Sequence, residues 1–132
     1  MLAGFFYLSQ RSQLNLLGDS VVQHTHGRVA TAILLQAESK VFVQDSAFLD
    51  ILALEVGGFQ ASGVIVGWQS ENIIIDQSVF SGNENINIYS DRTPVTVTRS
   101  KFKHGMKNPY ITVYGSTLTL QSSHMFEASD AY

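Results

Sequence analysis

The stretch "VTVTRSKF", residues 95–102, recurs three more times along the chain with the same residue pattern. The other copies are "VFVQDSAF" at 41–48, "IIIDQSVF" at 73–80 and "LTLQSSHM" at 118–125. Each octad begins with an apolar residue, any residue and a second apolar residue. Two polar residues, a serine, any residue and a large apolar residue follow. Because a pattern repeated along the chain is the signature of a coiled, solenoidal architecture, these octads decide the fold.

A second short apolar segment precedes each octad at a nearly constant distance. The separations are 8, 9, 9 and 7 residues for the pairs Ile33–Val41, Val64–Ile73, Ile86–Val95 and Ile111–Leu118. A looser fifth unit runs from Phe6 to the octad-like segment that begins at Leu14. Two units are longer than the others, and their extra residues, at about 22–32 and 49–63, are predicted to leave the coil as lateral loops.

Strands of three residues cannot form a stable hairpin alone, but they are stable when each stacks on its equivalent one turn later. The sequence therefore predicts an all-β parallel β-helix of about five coils. Three internal ladders are predicted: Val41, Ile73, Val95 and Leu118; Val43, Ile75, Val97 and Leu120; Phe48, Phe80, Phe102 and Met125. The serine of each octad is predicted at a corner, with its hydroxyl bonded to nearby backbone.

A β-sandwich or an up-and-down barrel is the alternative fold for a chain of short strands. Neither predicts that one ordered octad recurs with a second strand at a fixed distance before it. The Asn-Gly and Asp-Gly dipeptides that close tight hairpins are also absent. The repeat therefore favours the coil.

These coils resemble the right-handed parallel β-helix of the pectin-lyase-like superfamily. They are most similar to repeats of polymorphic outer-membrane proteins, adhesins of the autotransporter type and β-helix surface proteins of protists. Such repeats run Ser-x-Phe-x-x-Asn and then Gly-Gly-Ala-Ile. "SVFSGN" at 78–83 matches the first part, and "VGGFQASGVIV" at 56–66 carries the Gly-Gly with Phe59 in place of Ala. The resemblance implies a right-handed coil and favours an extracellular or cell-surface location.

Size and composition restrict the classes of function. The chain has 132 residues, which indicates one domain, and its net charge of −3 gives no electrostatic reason to bind nucleic acid or an anionic membrane. There is no cysteine, which excludes disulfides and thiolate metal sites. The apolar run at the N-terminus is too short to span a membrane. We expect no cofactor.

An acid–acid–base stripe is the candidate for catalysis. The resemblance implies this test, because the superfamily includes pectate lyases and polygalacturonases, which use clustered acids. Asp45 and Asp76 fall on adjacent predicted coils in different columns, and Arg99 falls one coil further on. Ordinary outward charges are the alternative interpretation.

Two histidines offer a weaker candidate for a metal site. His24 and His26 are separated by one residue in "QHTHGR" at 23–28, with Asp19 as a conceivable third ligand. A metal site needs three or four ligands, so a polar loop is the alternative.

Trp68, at a predicted turn, is expected either to cover the core or to offer a sugar a stacking face. Asn83, Asn85 and Asn87 are expected to stack or to form a turn.

Two functions from different classes follow from this sequence. The first is a structural or interaction module, a scaffold, spacer or adhesin-like segment that pairs end to end with other protein segments or subunits. The basis is that a solenoid needs polar caps, and no cap is visible in the sequence. The second is a carbohydrate-active enzyme or a glycan-binding β-helix. The lack of a convincing acid cluster favours the first.

Overall fold

The chain forms a parallel β-solenoid, described here from a computed structural model for residues 6–23, 26–27, 30–53, 63–84, 86–105 and 110–125. All regular structure in this part is β. The strands are β1 (Phe6–Leu8), β2 (Gln13–Leu16), β3 (Val21–Gln23), β4 (His26–Gly27), β5 (Ala30–Gln36), β6 (Lys40–Gln44), β7 (Ala47–Leu49), β8 (Leu52–Ala53), β9 (Gly63–Trp68), β10 (Asn72–Asp76), β11 (Val79–Ser81), β12 (Ile88–Asp91), β13 (Val95–Thr98), β14 (Lys101–Lys103), β15 (Ile111–Tyr114), β16 (Leu118–Gln121) and β17 (His124–Met125).

Three parallel sheets of five strands each form the sides of the solenoid. The first sheet runs β1-β5-β9-β12-β15, the second β2-β6-β10-β13-β16, and the third β3-β7-β11-β14-β17. We name the strand triplets coil 1 (β1–β3), coil 2 (β5–β7), coil 3 (β9–β11), coil 4 (β12–β14) and coil 5 (β15–β17). The sequence predicted about five coils. Because the five strands of each sheet are separated by four steps, the described chain makes about four turns.

The three predicted ladders are confirmed. Ile73 pairs with Val41 and Val95, and Val95 pairs with Leu118. The ladder through Val43, Ile75, Val97 and Leu120 has the same register. In the third sheet the rings of Phe48, Phe80 and Phe102 are fully buried and stack face to face, with centroids 4.7 and 4.8 Å apart. Alternation of apolar and other residues turns these columns inward, and their members in coils 2 to 4 are part of the core.

The residues from which the spacings of the first strands were measured are not equivalent positions in two of the coils. Ile65 and Ile88, rather than Val64 and Ile86, stand in the column with Ile33 and Ile111. In coil 4 the reason is a buried corner: the side chain of Asn87 accepts a hydrogen bond from Asn83 Nδ2 at 2.8 Å, and the strand begins only at the next residue. The inward column is therefore Phe6, Ile33, Ile65, Ile88 and Ile111.

The two insertions are not wholly loops. Within them β4 and β8 pair in parallel, His26 opposite Leu52 and Gly27 opposite Ala53, and form a small fourth sheet. Val22, Ala32 and Ile51, at the edges of the predicted insertions, are buried in the core. Residues 24–25, 28–29 and 54–62 lie outside the described residues.

Residues in the left-handed backbone conformation form the corner between the second and third sheets. The residue before each octad serine has a positive φ: Asp45 at 51°, Gln77 at 48°, Arg99 at 49° and Ser122 at 49°. The predicted role of the serine is confirmed beside them. The hydroxyl of Ser78 donates to the carbonyl of Asp76 at 2.8 Å and accepts from the amide of Ser46 at 3.2 Å. The same link joins Ser78 to Ser100 and Ser100 to Ser123, so one hydroxyl per coil satisfies the backbone where the ladder turns.

This backbone conformation makes a prediction at Gln77, whose side chain is exposed. Gln77→Val is expected to lower the free energy of unfolding by about 1 kcal/mol, because a β-branched residue adds strain at positive φ to the general cost that Gln77 already bears. Gln77→Asn is the matched control and is expected to cause no loss, because Asn tolerates this region. Urea unfolding of both variants measures the difference. Equal effects of the two substitutions would contradict the proposed strain.

Candidate functional site

Asp76 and Arg99 form an ion pair across neighbouring coils of the second sheet. Arg99 Nε donates to Asp76 Oδ1 at 3.0 Å, and Arg99 Nη2 donates to Asp76 Oδ2 at 2.6 Å. The hydroxyl of Thr98 donates to Oδ1 at 2.7 Å. The side chain of Asp76 is 12% exposed and that of Arg99 is 57% exposed. Both oxygens of Asp76 are therefore engaged in a two-pronged, charge-assisted contact.

The pair changes the ionisation of both groups. The hydrogen bond from Arg99 holds the pKa of Asp76 below its ordinary value, against the opposing effect of burial and with help from Thr98. The hydrogen bond with Asp76 likewise raises the pKa of Arg99, and the charge of Asp45 adds to that shift. The arrangement holds Asp76 as a carboxylate and Arg99 as a cation.

Asp45 lies in the column next to that of Asp76, as the spacing predicted, and Arg99 occupies the same corner column two coils further on. Asp76 is opposite Gln44, so Asp45 follows in the next column, where its amide donates to the carbonyl of Asp76 at 3.1 Å. The side chain of Asp45 is exposed. The structure thus brings Asp76 and Arg99 into contact and leaves Asp45 at the corner. A catalytic role for the three residues stays a hypothesis from sequence.

The ion pair predicts a defined dependence of stability on pH. Because the pKa of Asp76 is lower in the folded than in the unfolded state, its contribution is present above the unfolded pKa of about 3.9 and is lost as pH falls through the folded pKa. Asp76→Asn is expected to flatten the loss of stability below about pH 4. Urea unfolding at a series of pH values, with exposed Asp45→Asn as control, measures this. An unchanged acid dependence in Asp76→Asn would contradict the assignment.

The predicted histidine pair lies only partly within the described residues. His24 lies outside the described residues, and His26 is placed in β4. Among the side chains that the structure describes, no group of three or more His, Cys, Asp or Glu is arranged to hold a metal ion.

A groove along the corner between the first and second sheets was missed in the sequence. Its outward column holds Gln36, Trp68, Asp91 and Tyr114, which share one register position. Each stands three residues after the inward isoleucine of its strand. The half-buried Trp68 packs on a small apolar cluster of Leu34 and Val66, which fixes the indole at the side of the groove.

The groove is open, and four of the six residues that line it carry planar polar groups. A cavity of about 480 Å³ is bordered by Gln36, Ala37, Trp68, Gln69, Asp91 and Arg92. Arg92 Nε contacts Asp91 Oδ1 at 3.1 Å. With its amide oxygen turned toward Arg92, Gln69 accepts from Nη2 and Nη1 at 2.8 and 3.1 Å. A second cavity of about 440 Å³ continues the groove past Arg11 and Glu38, which are paired at 2.7 Å.

The end formed by coil 5 exposes residues that belong to the internal ladders. Leu118, Leu120 and Met125 are 43%, 45% and 41% exposed, whereas their partners Val95, Val97 and Phe102 are at most 1% exposed. β15, β16 and β17 are the last strands of their sheets in the described part of the chain. This end is therefore an apolar surface bordered by three sheet edges.

No protein-family model matches this sequence, and no curated protein matches it either. The resemblance to the pectin-lyase-like superfamily accordingly stays a prediction from the motifs. Within the residues that the structure describes, no helix is long and apolar enough to cross a membrane.

Proposed function

We propose that residues 1–132 are a structural and interaction module, a rigid β-solenoid segment whose coil 5 end takes up a further β-coil. The observation that carries this proposal is the exposure of Leu118, Leu120 and Met125, whose ladder partners are buried. Full burial of such a side chain is worth about 1.5–3 kcal/mol. Because each is already partly covered, we expect a further coil to gain about 1 kcal/mol from each, and ladder hydrogen bonds in addition.

The finer type of this solenoid is also a proposal. We infer a right-handed coil of the pectin-lyase-like kind, as in repeats of surface and adhesin-type proteins. The motif at 78–83 supports this, because its asparagine, Asn83, is buried at the corner and hydrogen-bonded to the neighbouring coil.

A scaffold and an enzyme are distinguished by an activity test. The protein is incubated with polygalacturonate and alginate, with and without Ca²⁺, and the products are assayed for unsaturated sugars and new reducing ends. We expect neither, because both oxygens of Asp76 are engaged with Arg99 and Thr98. Unsaturated product or new reducing ends, lost in Asp76→Asn but retained in Gln77→Asn, would overturn the proposal in favour of an enzyme.

A second candidate function, glycan binding, is favoured by the groove beside Trp68. An aromatic face held next to amide and guanidinium groups is a suitable surface for a sugar ring and its hydroxyls. Both arginines of the groove are paired with carboxylates, so a neutral oligosaccharide suits it better than an acidic one.

A glycan array and calorimetry test the proposed binding of a neutral oligosaccharide in this groove. Trp68→Ala is expected to weaken binding about tenfold, equivalent to ~1.4 kcal/mol, whereas Val21→Ala, on the third sheet, is expected to leave it unchanged. An array without binding, or equal binding by both variants, would exclude this site.

A further inference from the structure

The two ends of the solenoid differ in how far their inward residues are covered. At the coil 5 end, Leu118, Leu120 and Met125 are 43%, 45% and 41% exposed. At the coil 1 end, Leu8 and Val22 are only 7% and 4% exposed. Within the part of the chain that the structure describes, the coil 5 end is therefore the more open apolar surface, and a second copy that stacks on it head to tail would not present an equally open end.

The backbone of β16 adds hydrogen-bonding groups to this surface. The carbonyls of Thr117 and Gln121 accept hydrogen bonds from amides of coil 4. Because successive residues of a strand direct their N–H and C=O groups to opposite sides, those of Leu118 and Leu120 point to the open edge. The residues that expose apolar side chains at this end thus also direct backbone groups to it.

The first and third sheets follow the same rule at this end. The carbonyl of Tyr114 and the amide of His124 form hydrogen bonds with coil 4. The backbone groups of their neighbours Val113 and Met125 are therefore directed to the open edge. Val113 packs on the core from the first sheet, and Met125 continues the phenylalanine column in the third.

The inward residues of coil 5 are spaced symmetrically about Thr119. Leu118 and Leu120 lie one residue from it on either side, and Val113 and Met125 lie six residues from it on either side. The two corners of coil 5 are consequently equal in length. A twofold axis through Thr119, perpendicular to the solenoid axis and directed into the core, would therefore superpose inward residues on inward residues of a second copy.

From this symmetry, and resting on the proposed function, we propose that the partner of the coil 5 end is the coil 5 end of a second copy of this chain, in a closed twofold dimer. The end strands pair antiparallel, β16 with β16 and β15 with β17. Leu118 exchanges both backbone hydrogen bonds with Leu120 of the partner subunit, and the two Thr119 residues stand opposite each other between these pairs. Such an isologous contact closes after two copies.

Charge also favours this partner. Residues 110–125 contain no Asp, Glu, Lys or Arg, so two coil 5 ends bring no charges of these types together and bury none. The single histidine of this segment, His124, stands in the outward column of Lys101, at the rim of the contact. A charged partner surface would lose its hydration against this end without gaining an opposite charge, whereas a second uncharged end is complementary to it.

The first test measures the mass of the full chain in solution. Sedimentation over a range of concentrations is expected to show a monomer in equilibrium with a dimer and no larger species. Leu120→Lys is expected to weaken dimerisation about a hundredfold or more, because the twofold axis places two lysines in one apolar interface. Val21→Lys is the matched control. Val21 is 55% exposed on coil 1, at the other end of the solenoid, and this variant is expected to dimerise as the wild type does.

Circular dichroism checks that each variant keeps its β structure. If Leu120→Lys fails to fold, Met125→Lys blocks the same end from the third sheet.

Cysteine crosslinking tests the symmetry of the contact, because the chain has no cysteine of its own. Opposed residues at a non-hydrogen-bonded position of an antiparallel pair have Cα atoms about 4.5 Å apart, within the disulfide range of about 4.4–6.8 Å. Thr119→Cys is therefore expected to form a covalent dimer on mild oxidation. Asn15→Cys, exposed at the same register position in coil 1, is the matched control and is expected to crosslink only at the rate of random collision.

Three outcomes would overturn the inference: a wild-type protein that is monomeric at every soluble concentration, an assembly that grows beyond two copies, or a Thr119→Cys variant that crosslinks no faster than Asn15→Cys. The activity test of the proposed function does not depend on dimerisation. A monomer that is inactive toward polysaccharides would therefore end this inference alone, whereas enzymatic activity would end the proposed function.

Discussion

Phe80→Ala is expected to lower the free energy of unfolding by about 3–5 kcal/mol, the range typical of large-to-small substitutions in cores. The ring of Phe80 is fully buried between the rings of Phe48 and Phe102, at 4.7 and 4.8 Å with interplanar angles of 9° and 11°. Its removal leaves a cavity with an aromatic face above and below. The parallel sheets hold those two rings two coils apart, so they cannot close the gap.

Urea unfolding at one fixed low protein concentration measures this effect, because association would raise the apparent stability. Tyr114→Ala is the aromatic control. Its ring is 57% exposed, and we expect a change of about 0.5 kcal/mol or less. A loss at Phe80 below about 1 kcal/mol would mean that the column can collapse around the cavity, contrary to a rigid solenoid.

The octads predicted the second and third sheets correctly because one strong pattern specifies both the strand and its face. Val95 and Val97 point inward and Thr96 lies between them, and the same alternation in each copy aligns the ladders. The large residue at the end of each octad then places the phenylalanine column. Local alternation and repetition were sufficient here.

The first sheet was predicted less well because its strands lack that pattern. "VIV" at 64–66 is apolar at every position, so its inward residue cannot be read from alternation. Val66 faces away from the main core and packs in the small outer cluster with Leu34. The start of β12 depends on the contact between Asn83 and Asn87. The sequence predicted that these asparagines stack or form a turn, but it did not indicate at which residue the next strand begins.

The candidate site was predicted only in part for a related reason. The register placed Asp76 and Arg99 on nearby coils, but their columns differ by one residue. Arg99 stands at a corner with positive φ, and its long side chain reaches back across one coil to Asp76. The direction in which such a side chain extends is set by the backbone conformation at the corner, which the octad pattern does not specify. The same limit hid the groove beside Trp68, which is formed by residues that meet only after coiling.

Asn83→Ala is expected to lower the free energy of unfolding by about 3 kcal/mol. Asn83 is 1% exposed, and its side chain makes three hydrogen bonds. Its Oδ1 accepts from the amide of Ile51 at 3.0 Å, and its Nδ2 donates to the carbonyl of Phe48 at 3.2 Å and to Asn87 Oδ1 at 2.8 Å. Truncation leaves three polar groups without this partner, each at a cost of about 1–3 kcal/mol when buried. A cost of about 1 kcal/mol for each of the three groups gives the expected loss of about 3 kcal/mol.

Asn83→Asp separates hydrogen bonding from size, because it keeps the shape and the acceptor but removes both donors. The carboxylate then faces the carbonyl of Phe48 and the oxygen of Asn87, which raises its pKa in the folded state. The free energy of unfolding of Asn83→Asp should therefore approach that of the wild type as pH falls toward about 4. The difference between Asn83→Ala and the wild type should not change with pH. This trend is opposite to the acid loss expected from Asp76, so the two carboxyls can be distinguished in one series of urea measurements. A pH-independent deficit in Asn83→Asp would show that the donors of Asn83 do not hold this corner, and that its volume alone does.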